Sequence, residues 1–194
     1  MFTVTAYCAS STRIADCYFA AADTLGRLLA HQGVRLVTGA GCLGLMNTIE
    51  NAVLEEGGEV VGVIPEFMIK ENWHHQGLTE LIVTPDMHER KQRMADMSDA
   101  CVALPGGVGT LEELLEVITW KQLGLYLNPI VILNTNGYFD HLLAQLERAV
   151  EDSFMRPVHA TIWSVATTPE EAADLLLHTP KWDGSIRRFA AIGK

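Results

Sequence analysis

Residues 103–120 read ALPGGVGTLEELLEVITW, and the order of residue types in this stretch indicates both a fold class and a candidate binding site. A short apolar run ends at Pro105, as expected of a buried strand, because proline cannot donate the next ladder hydrogen bond. The three glycines that follow let the backbone turn with its amides exposed, and the apolar spacing after them predicts a helix. A strand, a glycine turn and a helix in this order predict a cradle for a phosphate-sized anion. The Thr110 hydroxyl would add one more donor.

The same alternation of short apolar runs and helical patterns extends over most of the 194 residues. Candidate strands lie at 3–8, 35–38, 60–64, 81–84, 100–104, 130–133 and 161–165. Candidate helices lie at 13–31, 43–56, 87–97, 111–125, 138–151 and 169–177. Nearly continuous apolar strands are expected where helices cover both faces of a parallel sheet. We therefore predict one α/β domain, doubly wound and Rossmann-like, with a mostly parallel sheet of about seven strands.

The predicted domain spans residues 1–178, and residues 179–194, with the basic pair Arg187-Arg188, form a C-terminal tail. The chain has no apolar run of the roughly 20 residues that span a bilayer. The N-terminus, MFTVTAYCASS, lacks the basic and apolar regions of a signal peptide. These features favour a cytoplasmic protein that does not bind membranes.

Charge and cysteine usage exclude two further classes of function. The formal net charge of −10 opposes binding to nucleic acid, which needs clustered Lys and Arg. The four cysteines form no CxxC pair, and we interpret them as reduced packing residues. His74 and His75 are adjacent, so their side chains diverge, and no HxxxH or HExxH pattern occurs. A metal site is therefore not indicated.

Nearer the N-terminus lies another glycine loop, Gly39-Ala40-Gly41-Cys42-Leu43-Gly44, called the first glycine loop from here on, which fits GxGxxG between a predicted strand and a helix. Such a loop can bring backbone amides close to the phosphates of a dinucleotide. That function also needs an acid at the end of the next strand, and this strand ends in Pro65 instead. The alternative is a turn whose glycines only allow the following helix to pack closely.

Two charged segments each have a structural and a functional interpretation. Thr110 and Glu113 fit a T-x-x-E capping box, but Glu113 also lies one turn from the predicted cradle, and spacing alone leaves this open. Arg90 and Lys91 form either a solvated basic face or a cationic pair for a phosphomonoester. Ser10, with Ser11 beside it, follows the first predicted strand and either bonds a base or caps the next helix.

The sequence resembles the Lonely Guy family of cytokinin-activating enzymes, which are often labelled lysine decarboxylases. The family hallmark PGGxGTxxE occurs at residues 105–113, and the upstream MHxRK segment occurs at residues 87–91. The resemblance extends through SDAxxALPGG, LEELLEVITW and the GLM at residues 44–46, and covers nearly the whole chain up to about residue 165.

The resemblance implies hydrolysis of the N-glycosidic bond of nucleoside 5′-monophosphates, typically of N6-substituted adenine, with ribose 5-monophosphate as the second product. It implies catalytic roles for Arg90 and Glu113, a homodimer with the site near the subunit interface, and no metal or cofactor. The candidate substrate-binding residues are Ser10, Gly39, Gly41, Gly44, Met46, Lys91, Gly106, Gly107, Val108, Gly109, Thr110 and Glu112. The sequence departs from the family pattern at Ala40, Asn47, Val108 and residues 70–75. These departures bear on the preferred base more than on the reaction.

Two rival functions remain open at this stage. A non-catalytic carrier of a phosphorylated ligand, such as a nucleotide or the molybdenum cofactor, would use the same cradle. Amino-acid decarboxylation would need a lysine that forms a Schiff base with a pyridoxal cofactor, and Lys91 is the only lysine near a motif.

Overall fold

The computed structural model describes residues 1–186, which form seven strands and seven α-helices. The strands are β1 (Thr3–Tyr7), β2 (Arg35–Thr38), β3 (Val60–Pro65), β4 (Glu80–Thr84), β5 (Ala100–Ala103), β6 (Ile130–Leu133) and β7 (Ser164–Ala166). The helices are α1 (Asp16–His31), α2 (Gly44–Glu55), α3 (Glu66–Lys70), α4 (Met87–Asp96), α5 (Val108–Gln122), α6 (Asp140–Glu151) and α7 (Pro169–His178).

The strands form one parallel sheet in the order β4-β3-β2-β1-β5-β6-β7. The predicted doubly wound α/β fold is therefore confirmed. The order reverses at β1, because the chain builds outward to β4 and then crosses back to place β5 on the other side of β1. In open α/β sheets a ligand crevice forms outside the carboxyl ends of the two strands at such a reversal. Here those ends are followed by residues 8–11 and by the loop 104–107.

Helices cover both faces of the sheet, which explains why the central strands are buried throughout. One buried cluster joins α1, α2 and α7 to the sheet, and a second joins α4, α5 and α6 to its other face. Strand residues alternate between the clusters, so that Val4 and Ala6 belong to the first and Tyr7 to the second. In the described residues, no helix is long and apolar enough to cross a membrane.

Several element bounds differ from the sequence prediction by one to three residues, including the start of α1 at Asp16 rather than at residue 13, and three differences bear on the interpretation. The short helix α3 was not predicted. The last strand begins at Ser164 rather than at residue 161, because Pro157–Thr161 form a 3-10 turn. Helix α5 begins at Val108 instead of residue 111, with Gly107 as its N-cap. This last difference changes the interpretation of the charged residues that follow.

The first part of the predicted tail packs against the domain. Trp182 joins the second buried cluster, where its ring lies 5.1 Å from the Nζ of the buried Lys121, and its amide donates to the Leu127 carbonyl. The basic pair Arg187-Arg188 lies outside the described residues.

A buried acid lies within α2. Glu50 is fully buried behind the end of β2, and its Oε1 accepts a hydrogen bond of 2.5 Å from the Thr38 hydroxyl. Burial raises the pKa of this carboxyl to about 8, although the Thr38 hydrogen bond partly opposes the effect. Glu50 is therefore mostly protonated at neutral pH in the folded protein.

We expect this acid to make folding less favourable as the pH rises. The unfolded chain loses the Glu50 proton near pH 4.5, whereas the folded chain keeps it to about pH 8. The stability of the wild type should therefore fall between these values relative to Glu50→Gln, by an amount on the order of 3 kcal/mol. Urea unfolding at pH 5 and pH 8 measures this difference. Parallel pH curves for the two proteins would contradict it.

Candidate active site

A cavity of about 290 Å³ opens at the reversal point of the sheet. The segment after β1 forms one wall, and the glycine loop and first turn of α5 form the other. Arg90 and Met87 reach it from α4, and Met46 and Met68 reach it from α2 and α3. Its described lining residues are Cys8, Ala9, Ser10, Ser11, Met46, Met68, Met87, Arg90, Gly107, Gly109, Thr110, Glu112 and Glu113. The glycine turn therefore shares one crevice with Arg90, Glu112 and Glu113, three of the charged residues predicted from two distant motifs.

A second cavity of about 360 Å³ adjoins the first and is lined largely by apolar side chains. The two cavities share Ser10, Met46, Met68 and Arg90. The further lining residues of the second cavity are Gly39, Gly41, Cys42, Leu43, Ile64 and Trp73. A polar chamber thus opens beside an apolar one, and Arg90 borders both.

The turn before α5 offers a row of unpaired amides. Leu111 N donates to Gly107 O, but among the described residues the amides of 107–110 make no hydrogen bond. Tyr138 Oη donates a hydrogen bond of 2.7 Å to the Gly106 carbonyl and so anchors the turn to the segment before α6. The amides lie at the positive end of a 15-residue helix, which favours a bound anion. The sequence-based prediction of an anion cradle thus has a matching geometry.

Arg90 and Glu113 form a buried ion pair at the inner end of the crevice. Helix α4 begins next to Asp86, whose carboxylate caps it by accepting from the amides of residues 88 and 89. From this helix start Arg90 reaches β3, where its Nε donates to Val63 O at 3.0 Å, and its Nη1 donates to Glu113 Oε1 at 2.7 Å. Their side chains are only 6% and 9% exposed. The interpretation of Arg90 as part of a solvated basic face is therefore wrong.

Glu113 does not serve as a helix cap. The helix begins at Val108, so Thr110 lies within its first turn and not at the N-cap, and no side chain caps this end. Burial raises the pKa of the Glu113 carboxyl, while the charge and hydrogen bond of Arg90 lower it part of the way. The capping-box alternative fails because the carboxylate pairs with Arg90 in the crevice. A carboxyl with a raised pKa is suited to general acid–base chemistry.

Lys91 has a different environment from its neighbour. It is buried and forms ion pairs with Glu112 and, at 3.2 Å, with Glu116. Burial lowers the pKa of its amine, but hydrogen bonds to the two carboxylates outweigh this and raise it. Lys91 lines neither cavity in the described residues. It is therefore placed to hold α4 against α5 and to orient Glu112.

The first glycine loop is not an open phosphate cradle, because three successive amides at its tip are already used. Ala40 N donates to Thr38 Oγ1, Gly41 N to Met46 Sδ, and Cys42 N to Trp73 O. The loop instead forms a wall of the apolar cavity. The dinucleotide interpretation of its GxGxxG pattern therefore has no structural support.

The crevice contains most but not all of the predicted substrate-binding residues. Ser10, Met46, Gly107, Gly109, Thr110 and Glu112 line the polar cavity, and Gly39 and Gly41 line the apolar one. Gly44 instead has a φ of +64° and packs on the backbone of Ser10 and Ser11. Gly106 lies against the Thr110 side chain, and Val108 projects outward and is 84% exposed.

Several lining residues could not be recognised in the sequence. Met68, Leu43, Ile64 and Trp73 carry no chemical signature, and only the fold brings them to the cavity. In residues 1–186, no three His, Cys, Asp or Glu side chains form a group that could hold a metal ion.

Gly39→Ala should lower activity with little effect on the fold. A Cβ at this position would overlap Arg90 Nη2 and lie 3.1 Å from its Cζ, while Val63 and Glu113 fix the guanidinium from the other side. Displacing Arg90 should reduce kcat/KM by about tenfold or more. Gly184→Ala is the matched control, because its Cβ would meet only Leu127 Cδ1 at 3.9 Å. Equal kinetics of the two variants would contradict this packing argument.

Sequence comparison identifies the family. A family model described as "Possible lysine decarboxylase" matches residues 46–176, which include the charged segment at 87–91 and the glycine turn and acidic residues at 105–113. The chain belongs to the Lonely Guy family. In this Lonely Guy protein, the matched region supplies α4, β5 and α5, and therefore the Arg90–Glu113 pair.

Two curated relatives match most of this chain. A cytokinin riboside 5′-monophosphate phosphoribohydrolase of Arabidopsis thaliana is 41% identical over 95% of this chain and 82% of the relative. A cytokinin riboside 5′-monophosphate phosphoribohydrolase of Rhodococcoides fascians is 48% identical over 80% of this chain and 79% of the relative.

A solved structure shares the fold at lower identity. The molybdenum cofactor carrier protein of Chlamydomonas reinhardtii superposes with a TM-score of 0.69 at 23% identity, covering 89% of this chain and 93% of the carrier. At that identity the likeness establishes the Rossmann-like fold of the Lonely Guy protein and nothing about its ligand.

Proposed function

We propose that this protein hydrolyses the N-glycosidic bond of N6-substituted adenosine 5′-monophosphates, releasing the free base and ribose 5-phosphate. The main support for the proposal is that the Arg90–Glu113 pair lines the same crevice as the turn whose amides, at residues 107–110, are unpaired. The names of the two curated relatives support the same reaction.

The phosphate is held at the start of α5. The amides of residues 107–110 and the Thr110 hydroxyl supply donors, and the helix dipole supplies a positive potential. Binding energy from this remote group fixes the position of C1′ and so lowers the barrier at the reacting bond.

The ribose lies between the phosphate and the apolar cavity, opposite Glu113. Cleavage of an N-glycosidic bond passes through a state with positive charge on the sugar ring, which a carboxylate stabilises. Glu113 Oε1 is bound by Arg90, and Oε2 makes no hydrogen bond to the described residues. That oxygen is available to face the sugar or to accept a proton from the attacking water.

The base occupies the apolar cavity of about 360 Å³, whose side chains include Leu43, Ile64 and Trp73. Burial of an apolar N6 substituent there stabilises the complex by about 25 cal/mol per Å² of apolar surface. We therefore expect N6-isopentenyl-AMP to have a higher kcat/KM than AMP. Trp73→Ala should lower kcat/KM for N6-isopentenyl-AMP more than for AMP, and assays of base release from the two nucleotides measure the difference.

Removal of the phosphate should abolish most turnover. The nucleoside, N6-isopentenyladenosine, presents the same base and sugar but nothing to the amides of 107–110, so kcat/KM should fall by about 10²-fold or more. Chromatography of the released base measures both substrates. Equal rates for nucleotide and nucleoside would contradict the role of the cradle.

Two other functions explain the geometry less well. A carrier of a phosphorylated ligand would use the cradle but has no need of the buried Arg90–Glu113 pair, and base release from a nucleotide separates the alternatives. Decarboxylation would need an uncharged lysine in the site. Lys91 is ion-paired with a raised pKa, and Lys121, whose pKa burial lowers to about 8, is buried beside Trp182 and lines neither cavity.

We also propose a cytoplasmic homodimer. The outer face of α5 exposes Val108 and Leu115 beside a shallow groove lined by Leu111 and Trp120, which suits contact with a second copy. Four unpaired cysteines are consistent with a reducing compartment. Light scattering during gel filtration tests the dimer, and Leu115→Asp should yield monomers.

A further inference from the structure

The buried carboxyl of Glu50 has a feature that its packing does not explain. Its Oε1 accepts from the Thr38 hydroxyl, while Oε2 is buried and has no hydrogen-bond partner among the described residues. An unpaired buried polar atom costs about 1–3 kcal/mol, so an apolar residue would be more favourable there for stability alone. The position of Glu50 next to the first glycine loop suggests what offsets that cost.

Thr38 connects Glu50 to the glycine loop. Its hydroxyl donates to Glu50 and, at 3.1 Å, accepts from the amide of Ala40. Ala40 has a φ of +61°, a left-handed conformation that costs alanine about 1 kcal/mol or more. On the other side, His75 N donates to the Ala40 carbonyl at 2.9 Å. The Ala40 residue is thus held from both ends in a conformation that it would not adopt alone.

The loop in turn borders the catalytic pair. Gly39 directly precedes Ala40, and the guanidinium of Arg90 lies so close to Gly39 that a side chain there would overlap Nη2. Val63 O and Glu113 Oε1 hold the opposite side of the same guanidinium. A change in the Ala40 conformation would therefore move the surface on which Arg90 rests.

We propose that Glu50 is a positioning residue for the catalytic pair. Through the Thr38 hydroxyl it fixes the conformation of Ala40, and through Gly39 it fixes the Arg90 guanidinium against Glu113. The expected loss of turnover when Glu50 is replaced rests on the proposed function. The expected change in the conformation of the first glycine loop does not.

The protonation state of Glu50 suits this task. Burial raises its pKa to about 8, so the neutral acid accepts the Thr38 hydrogen bond without placing a charge behind the site. Just after β1, the nearby titratable group is the thiol of Cys8, whose pKa is raised by burial and further by Glu50. Glu50→Gln keeps an acceptor for Thr38 and should preserve the loop at neutral pH.

Thr38→Val and Thr38→Ser provide a matched pair of variants, because valine has the shape of threonine without its hydroxyl, while serine keeps the hydroxyl. With N6-isopentenyl-AMP, we expect Thr38→Val to lower kcat by about tenfold or more and the kcat of Thr38→Ser to remain near that of the wild type.

Substitutions of Glu50 should give the same pattern. The kcat of Glu50→Leu should equal that of Thr38→Val, and the kcat of Glu50→Gln should equal that of the wild type. Because both residues act through one hydrogen bond, the kcat of Thr38→Val/Glu50→Leu should be no lower than that of either single variant. Glu55→Leu, at an exposed position of α2, is the surface control.

Crystal structures of Thr38→Val and Thr38→Ser test the proposal without reference to activity. The expected result is a changed Ala40 conformation and a displaced Arg90 guanidinium in the valine variant only. An unchanged loop and guanidinium in Thr38→Val, or a folded Thr38→Val with wild-type kcat, would overturn the proposal. If the wild type releases no base from any nucleotide, the proposed function fails, and the position of Arg90 in the two structures still decides the role of Glu50.

Discussion

Glu113→Gln should retain the fold and lose at least about 10²-fold in kcat with N6-isopentenyl-AMP. The amide has the size of the carboxylate and its oxygen can still accept from Arg90 Nη1, so the pair keeps its geometry. It cannot carry the negative charge that stabilises a cationic sugar, and it cannot accept a proton from water. Stopped assays of base release, together with circular dichroism, separate lost chemistry from lost structure.

Two further substitutions make this result specific. Glu147→Gln changes an exposed carboxylate on α6, away from the site, and should leave kcat unchanged. Glu112→Gln tests the neighbouring carboxylate, which lines the same cavity but is half exposed and paired with Lys91. We expect it to affect KM more than kcat. A larger loss of kcat in Glu112→Gln than in Glu113→Gln would transfer the catalytic role to Glu112.

Arg90→Ala should damage both stability and turnover. Glu113 would be left as a buried carboxylate without its cation, and breaking a buried ion pair in this way costs about 3 kcal/mol or more. Because Arg90 holds down the pKa of Glu113, its removal should also raise that pKa and leave less carboxylate at neutral pH. KM should rise and kcat should fall together, with kcat/KM lower by about 10²-fold or more.

The double variant Arg90→Ala/Glu113→Gln separates the two effects. A neutral amide needs no cation, so the double variant should be more stable than Arg90→Ala alone, although equally inactive. Arg93→Ala removes an exposed arginine from the same helix and serves as the control. Unchanged kinetics in Arg90→Ala would return this residue to a purely structural role.

The strand–glycine–helix order of residues 103–120 was enough to predict the cradle, because each step has a local cause. Proline ends the strand, the glycines permit the turn, and the helix start leaves amides free. Catalytic roles for Arg90 and Glu113 were expected only as an implication of the family resemblance, and their direct contact was not predicted. Spacing alone could not decide between an ion pair and a capping box for Glu113, since a helix start only three residues earlier removes the cap.

Other features depend on contacts between distant segments and carried no sequence signal. The first glycine loop fits the GxGxxG pattern, yet its amides are occupied by Thr38, Met46 and Trp73, which the pattern does not include. Lys91 resembles a phosphate ligand in sequence, but the packing of α4 on α5 pairs it with carboxylates. Glu50 occupies an ordinary helical position, and only the fold shows that it is buried.

In the proposed reaction, the amides of residues 107–110 hold the phosphate so that Glu113 acts on the sugar–base bond. A crystal structure of Glu113→Gln with bound N6-isopentenyl-AMP would show whether they do. We expect phosphate oxygens within about 3.2 Å of those amides, the base in the apolar cavity, and C1′ beside residue 113. An empty glycine turn, with the nucleotide bound elsewhere or with its base on the amides, would contradict it.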